Sequence, residues 1–107
     1  MKLARIKKLV LVTDKDHALH KHFSGVAERI SKELNIPLEY RWGDYVYVSQ
    51  YGDSDELGIT WLPQLFAELD DGTIIKVLTQ PNLSEAGYLD EERDYRASLE
   101  ILKNYIG

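Results

Sequence analysis

The sequence predicts an α/β sandwich of three layers: a mixed four-stranded sheet with helices on both faces. Three observations lead there. Leu9-Val10-Leu11-Val12 is a continuous apolar run, as a strand covered on both faces requires. An amphipathic stretch and a second strand-like segment follow it, and a strand–helix–strand opening implies a right-handed parallel crossover. Later, residues 65–69 and 73–78 flank Asp70-Asp71-Gly72, a hairpin that adds antiparallel strands because Asp-Gly supplies positive φ.

The elements follow in order. Thr13-Asp14-Lys15-Asp16 reads as a turn, with Asp16 placed to cap the first helix by accepting an orphan N–H. Leu19, Phe23, Val26, Ala27, Ile30 and Leu34 keep one stripe at the helical period. Asn35 suits the left-handed position after a helix, and Pro37 prevents continuation. Residues 38–42 and 45–49 both look like strand across Gly43-Asp44, as one bent strand or as a hairpin. Residues 53–57 read as a short helix capped by Asp53 or Ser54, and residues 80–89 as a loop. Asp90 caps a last helix whose expected buried stripe is Tyr95, Leu99, Leu102 and Ile106. The acidic Asp90-Glu91-Glu92 with Asp94 then complements the positive end of that helix dipole.

A chain of 107 residues without repeats or linkers is expected to be one domain over residues 1–107, with a core needing no staples. The net charge of −5 and pI near 5.1 argue against nucleic acid, whose phosphates require a basic face. Lys2, Arg5, Lys7 and Lys8 cluster, and read as a solvated approach to the first strand. No apolar stretch approaches the ~20 residues of a membrane span. Met1 to Thr13 is too short and too charged for a secretory signal, so the expected compartment is the cytoplasm. The absence of cysteine excludes disulfides, thiolate metal sites and thiol nucleophiles together.

Gly58-Ile59-Thr60-Trp61-Leu62-Pro63, followed by Gln64-Leu65-Phe66, resembles the cis-proline signature of the thioredoxin superfamily. The resemblance covers most of the chain and implies a thioredoxin-like sandwich with a cis bond before Pro63. In that family a redox Cys-x-x-Cys opens the first long helix; the corresponding place here holds His17-Ala18-Leu19-His20, followed by Lys21. Gly25 stands where the family has a helix-kinking proline, and Leu11 where it has a buried proton-shuttling aspartate. The resemblance therefore implies a redox-inactive binding or adaptor module. Its groove would be formed by His17, His20, Trp61, Leu62 and Pro63 and would take a protein or an extended peptide. Glu33 to Tyr40, Leu62-Pro63 and Leu69 to Thr73 also look like the amino-terminal domain of glutathione transferases, which implies glutathione as another ligand. The Glu-Ser pair that holds glutathione there is replaced by Ile75-Lys76-Val77-Leu78.

The histidines admit other chemistry. His17 and His20 at i and i+3 would share a helix face, and with Asp14 or Asp16 could hold a divalent transition metal. Either imidazole could serve as an acid or base near neutral pH. Against both stands the plain reading of exposed polar residues at a helix start; His22 would project from the far side. Trp61 is either an exposed anchor or a ring packed over the hairpin. Tyr40, Trp42, Tyr45, Tyr47 and Tyr51 gather around the second strand. They fill core and edge, or they mark a homodimer or partner strand at a sheet edge.

Overall fold

Leu9, Val10, Leu11 and Val12 have no exposed surface, because the strand carrying them, β1 (Ile6–Thr13), lies inside a sheet. The computed structural model describes residues 4–106; Lys2 of the basic cluster lies outside the described residues. The other strands are β2 (Leu38–Trp42), β3 (Gln64–Leu69) and β4 (Ile74–Leu78), in the order β2-β1-β3-β4. β1 runs parallel to β2, pairing Leu11 with Tyr40 and Thr13 with Trp42. It runs antiparallel to β3, pairing Val12 with Gln64, and β3 is antiparallel to β4. The sheet is thus mixed and open, with β2 and β4 at its edges.

The two-residue period of β1 divides the core. Leu9 and Leu11, with Leu65, Ala67 and Val77, pack against Phe23, Val26, Ala27 and Ile30 of α1 (His20–Leu34) and Leu102 of α3 (Glu91–Leu102). Val10, Val12 and Phe66 face the opposite way, onto Tyr47 and Val48 of α2 (Tyr45–Tyr51). Each fully buried Val, Leu, Ile or Phe side chain among these stabilises the fold by about 1.5–3 kcal/mol. Among the described residues no helix is long and apolar enough to cross a membrane.

Several local expectations are met. Asn35 adopts the left-handed conformation (φ 54°, ψ 50°) that ends α1. Asp90 caps α3 by accepting the Arg93 N–H at 3.0 Å. In the hairpin turn, Asp71 Oδ1 accepts the Thr73 N–H at 2.9 Å ahead of β4.

Others are corrected. Residues 45–49 form neither a bent strand nor a hairpin but the start of α2. The Asp44 carboxylate caps that helix by accepting the Tyr47 N–H at 3.1 Å. The helix buries the neighbours Tyr47 and Val48 together, which a strand would send to opposite faces. Residues 53–57 are not a helix; Ser54 bridges Thr60 across a turn instead. Asp16 does not cap α1, which starts at His20 behind Leu19 with no side-chain cap. α3 ends at Leu102 and a 3-10 turn, Lys103–Tyr105, follows. Ile106 is consequently 49% exposed.

The α2 face carries a titration that can be checked. The Tyr47 ring meets Phe66 edge-on at 5.2 Å, and its hydroxyl donates to Glu68 at 3.0 Å. Burial first, then the bond to Glu68, push the Tyr47 phenol above its ordinary value. The unfolded chain releases this proton above pH about 10, whereas the folded chain keeps it. The stability contributed is therefore present below that pH and is lost as pH rises through the folded value. Tyr47→Phe is expected to flatten the alkaline fall in unfolding free energy, measured by urea titration at several pH values. An unchanged slope would show that Tyr47 ionises alike in both states.

Candidate functional site

The carboxyl end of β1 organises the site. Thr13, the last residue of β1, is fully buried, and its Oγ1 lies 2.9 Å from His20 Nδ1, a hydrogen bond that fixes the imidazole at the first turn of α1. The parallel register sets Trp42, the last residue of β2, beside Thr13. The His20 ring is 5.6 Å from the Trp42 ring and 6.4 Å from that of Tyr40. Trp42 in turn stacks on Tyr40 at 5.2 Å, nearly parallel at 8°. The base of this stack is also held, because the Tyr40 hydroxyl shares a hydrogen bond with Ser24 at 2.7 Å and donates to Glu28 at 3.1 Å. Burial raises the Tyr40 phenol above its ordinary value.

The upper surface of the stack is open. Trp42 is 49% exposed, and Lys15 Nζ sits 5.0 Å from its ring centroid, a cation–π contact. A cavity of about 430 Å³ opens here, lined by Asp14, Lys15, Asp16, Trp42 and Gly43.

His17 is elsewhere than its spacing suggested. It precedes α1, and its Nδ1 accepts the Leu19 N–H at 3.0 Å, ordering the turn before the helix. His17 and His20 therefore do not share a helix face. Asp14 similarly accepts the Asp16 N–H at 3.1 Å. Among the described residues no group of three or more His, Asp or Glu side chains is arranged to hold a metal ion.

On the other flank of β1, the register continues from Gln64 towards Pro63 beside Thr13. The Leu62–Pro63 bond is cis. Both side chains are buried, which directs Leu62 into the core beneath α2. Trp61 is half-buried, and its indole N–H donates to the Thr79 carbonyl at 2.7 Å, so it is anchored on the end of β4. The imidazole of His20 and the Trp61–Pro63 segment thus flank the same end of β1. The cavity lies on the Trp42 side.

Two groups of residues escaped sequence reasoning. Trp42, Thr13 and Lys15 come together only through the crossover that sets β2 parallel to β1. The second group is a polar junction behind the site. Asp94, read from sequence as one more dipole-complementing acid, is fully buried. Its Oδ2 accepts from His22 Nε2 at 2.6 Å, and its Oδ1 accepts from Asn82 N at 2.9 Å and Asn82 Nδ2 at 2.7 Å. Its place four residues before Ser98 and eight before Leu102, on the buried side of α3, was the available signal.

Fold and site together define a small mixed α/β domain with an aromatic platform at one end of its sheet. No protein-family model, curated protein or solved structure matches the chain.

Proposed function

We propose that this is a redox-inactive, thioredoxin-like binding domain whose partner is an extended peptide segment received at the end of the sheet beside β2. The sandwich reading is supported by the order β2-β1-β3-β4, with β1 and β2 parallel, and by core clusters on both faces. Disulfide exchange has no nucleophile in a chain without cysteine.

The single observation that carries the binding reading is Trp42. A large aromatic side chain is half exposed, yet its conformation is already fixed by Tyr40 below and His20 at its side. Ordering a side chain on association costs about 0.5–1.5 kcal/mol, and here the fold has met that cost in advance. Trp42 also ends an edge strand whose outer backbone groups have no partner strand among the described residues, the arrangement that accepts an added strand. His20 acts as a positioning residue for the ring, and the buried Leu62-Pro63 segment shapes the floor on the β3 side.

The test is selection of short peptides from a display library on the whole chain, followed by titration of synthetic versions. Trp42→Ala is expected to weaken binding at least tenfold, which is about 1.4 kcal/mol, while the variant remains folded by circular dichroism. A library without binders, or binders indifferent to Trp42→Ala, would defeat the proposal.

A further inference from the structure

The segments 54–60 and 83–89 are built to one local design. Ser54 bridges Thr60 and Leu83 bridges Leu89, enclosing Asp55-Glu56-Leu57-Gly58-Ile59 and Ser84-Glu85-Ala86-Gly87-Tyr88. In the first, the Asp55 N–H donates to the Ile59 carbonyl at 2.9 Å and the Gly58 N–H to the Asp55 carbonyl at 3.0 Å. In the second, the Ser84 N–H donates to the Tyr88 carbonyl at 2.8 Å and the Gly87 N–H to the Ser84 carbonyl at 2.9 Å. A side chain completes each turn from the same position: Asp55 accepts the Leu57 and Ile59 N–H groups, and Ser84 accepts the Tyr88 N–H. Gly58 (φ +79°) and Gly87 (φ +83°) take the left-handed conformation that a side chain would strain.

Both loops are internally satisfied, yet both hold apolar side chains out of the core. Leu57 is 84% exposed, Ile59 60%, Leu83 50%, Tyr88 73% and Leu89 46%. These are five of the eleven exposed large hydrophobic residues among the described residues, a concentration that folding does not use and that marks an interaction surface. The loops also share a root. Thr79, the residue after β4, donates from Oγ1 to Asp53 at 2.6 Å and accepts the Trp61 indole N–H through its carbonyl. The residues flanking the first loop therefore clasp the residue that leads into the second. Both loops leave the sheet at the end where β1 terminates, since β3 begins there and β4 finishes there.

We infer that these loops are paired apolar prongs that receive an extended peptide carrying lysine or arginine among apolar side chains. The inference rests on the peptide-binding reading above and names the partner's chemistry. Charge selects the occupant. The two loops carry Asp55, Glu56 and Glu85 and no Lys or Arg, and the turn after β1 adds the exposed Asp14 and Asp16 on either side of Lys15, whose ammonium is held over the Trp42 ring. A second copy of the chain, net charge −5, would bring like charge to the contact, as would a nucleic acid or an anionic membrane. A cationic segment is attracted, and its apolar side chains cover the prongs.

The experiment uses the same displayed peptide library against the wild type, Leu57→Ser, Tyr88→Ser and Trp42→Ala. The wild type is expected to enrich peptides of net positive charge with interspersed Leu, Ile, Val or Phe. Each loop variant is expected to bind them about five- to tenfold more weakly, a change of about 1–1.4 kcal/mol, at an unaltered melting temperature. Affinity is expected to fall as salt is raised. Enriched peptides that are neutral or acidic overturn the prong assignment. So do binders lost with Trp42→Ala but retained by both loop variants, and in that case the binding reading stands. Binders retained by all three variants, or no enrichment at all, overturn both.

Discussion

Replacing Asp94 by alanine is expected to lower the unfolding free energy by roughly 3–5 kcal/mol, because it removes a buried carboxyl group that accepts three hydrogen bonds. The carboxylate is fully buried and is shared by three elements. It ties His22 of α1 and Asn82 of the loop after β4 to α3. Alanine leaves the His22 Nε2 and two Asn82 donors without acceptors, and each orphaned group costs about 1–3 kcal/mol. Asp94→Asn keeps one oxygen but turns the other acceptor into a donor, so it is expected to lose less. Urea unfolding of both variants measures this. For a domain whose whole stability is about 5–15 kcal/mol, the alanine variant falls near the edge of folding. A loss below about 1 kcal/mol would mean that solvent replaces the carboxylate and that the junction is not a structural tie.

The second large effect belongs to Gln64. Its side chain is fully buried at the start of β3. Oε1 accepts the Asp53 N–H at 2.9 Å, while Nε2 donates to the Asp53 carbonyl at 3.1 Å and the Trp61 carbonyl at 2.9 Å. One amide thus clamps both ends of the segment that carries the first prong. The approach is close enough that a Cβ on Gly52 would collide with Gln64 Oε1. Gln64→Ala is expected to cost about 3 kcal/mol, from three backbone groups left without partners and a side-chain-sized cavity. Amide exchange at Asp53 is expected to accelerate, and the Trp61 indole to become more mobile by fluorescence anisotropy. Unchanged exchange at Asp53 would show that the Lys76 and Thr79 bonds to the Asp53 carboxylate hold the segment alone. Those bonds keep that carboxyl below its usual range, Lys76 contributing most and Thr79 next.

Legibility in the sequence followed the range of the forces involved. The apolar run at Leu9–Val12, the stripe of α1, the Asn35 stop and the Asp71-Gly72 turn are set by residues within a few positions of one another, so periodicity and turn chemistry exposed them. Tyr45-Val46-Tyr47-Val48 defeated the same reasoning. Its alternation matches a strand, but a single hydrogen bond to Asp44 and burial of Tyr47 and Val48 on Val10, Val12 and Phe66 made it a helix. The His17-x-x-His20 spacing misled for a related reason. A three-residue shift of the helix start, from His17 to His20, removes His17 from the helix and leaves it bonded to Leu19.

By itself the sequence determined β1, α1, β2, the β3–β4 hairpin and α3, the central place of β1, the two-faced core and the lack of thiol chemistry. These depend on pattern and composition, which act locally along the chain. Tertiary structure alone decided that Thr13, His20 and Trp42 meet, that Asp94 turns inward to His22, and that Thr79 is tied to Asp53 and Trp61, which flank the first loop. Those contacts join residues far apart in the chain, and their free energy exists only after the parallel crossover and the β3–β4 hairpin have brought the ends of the strands to one side.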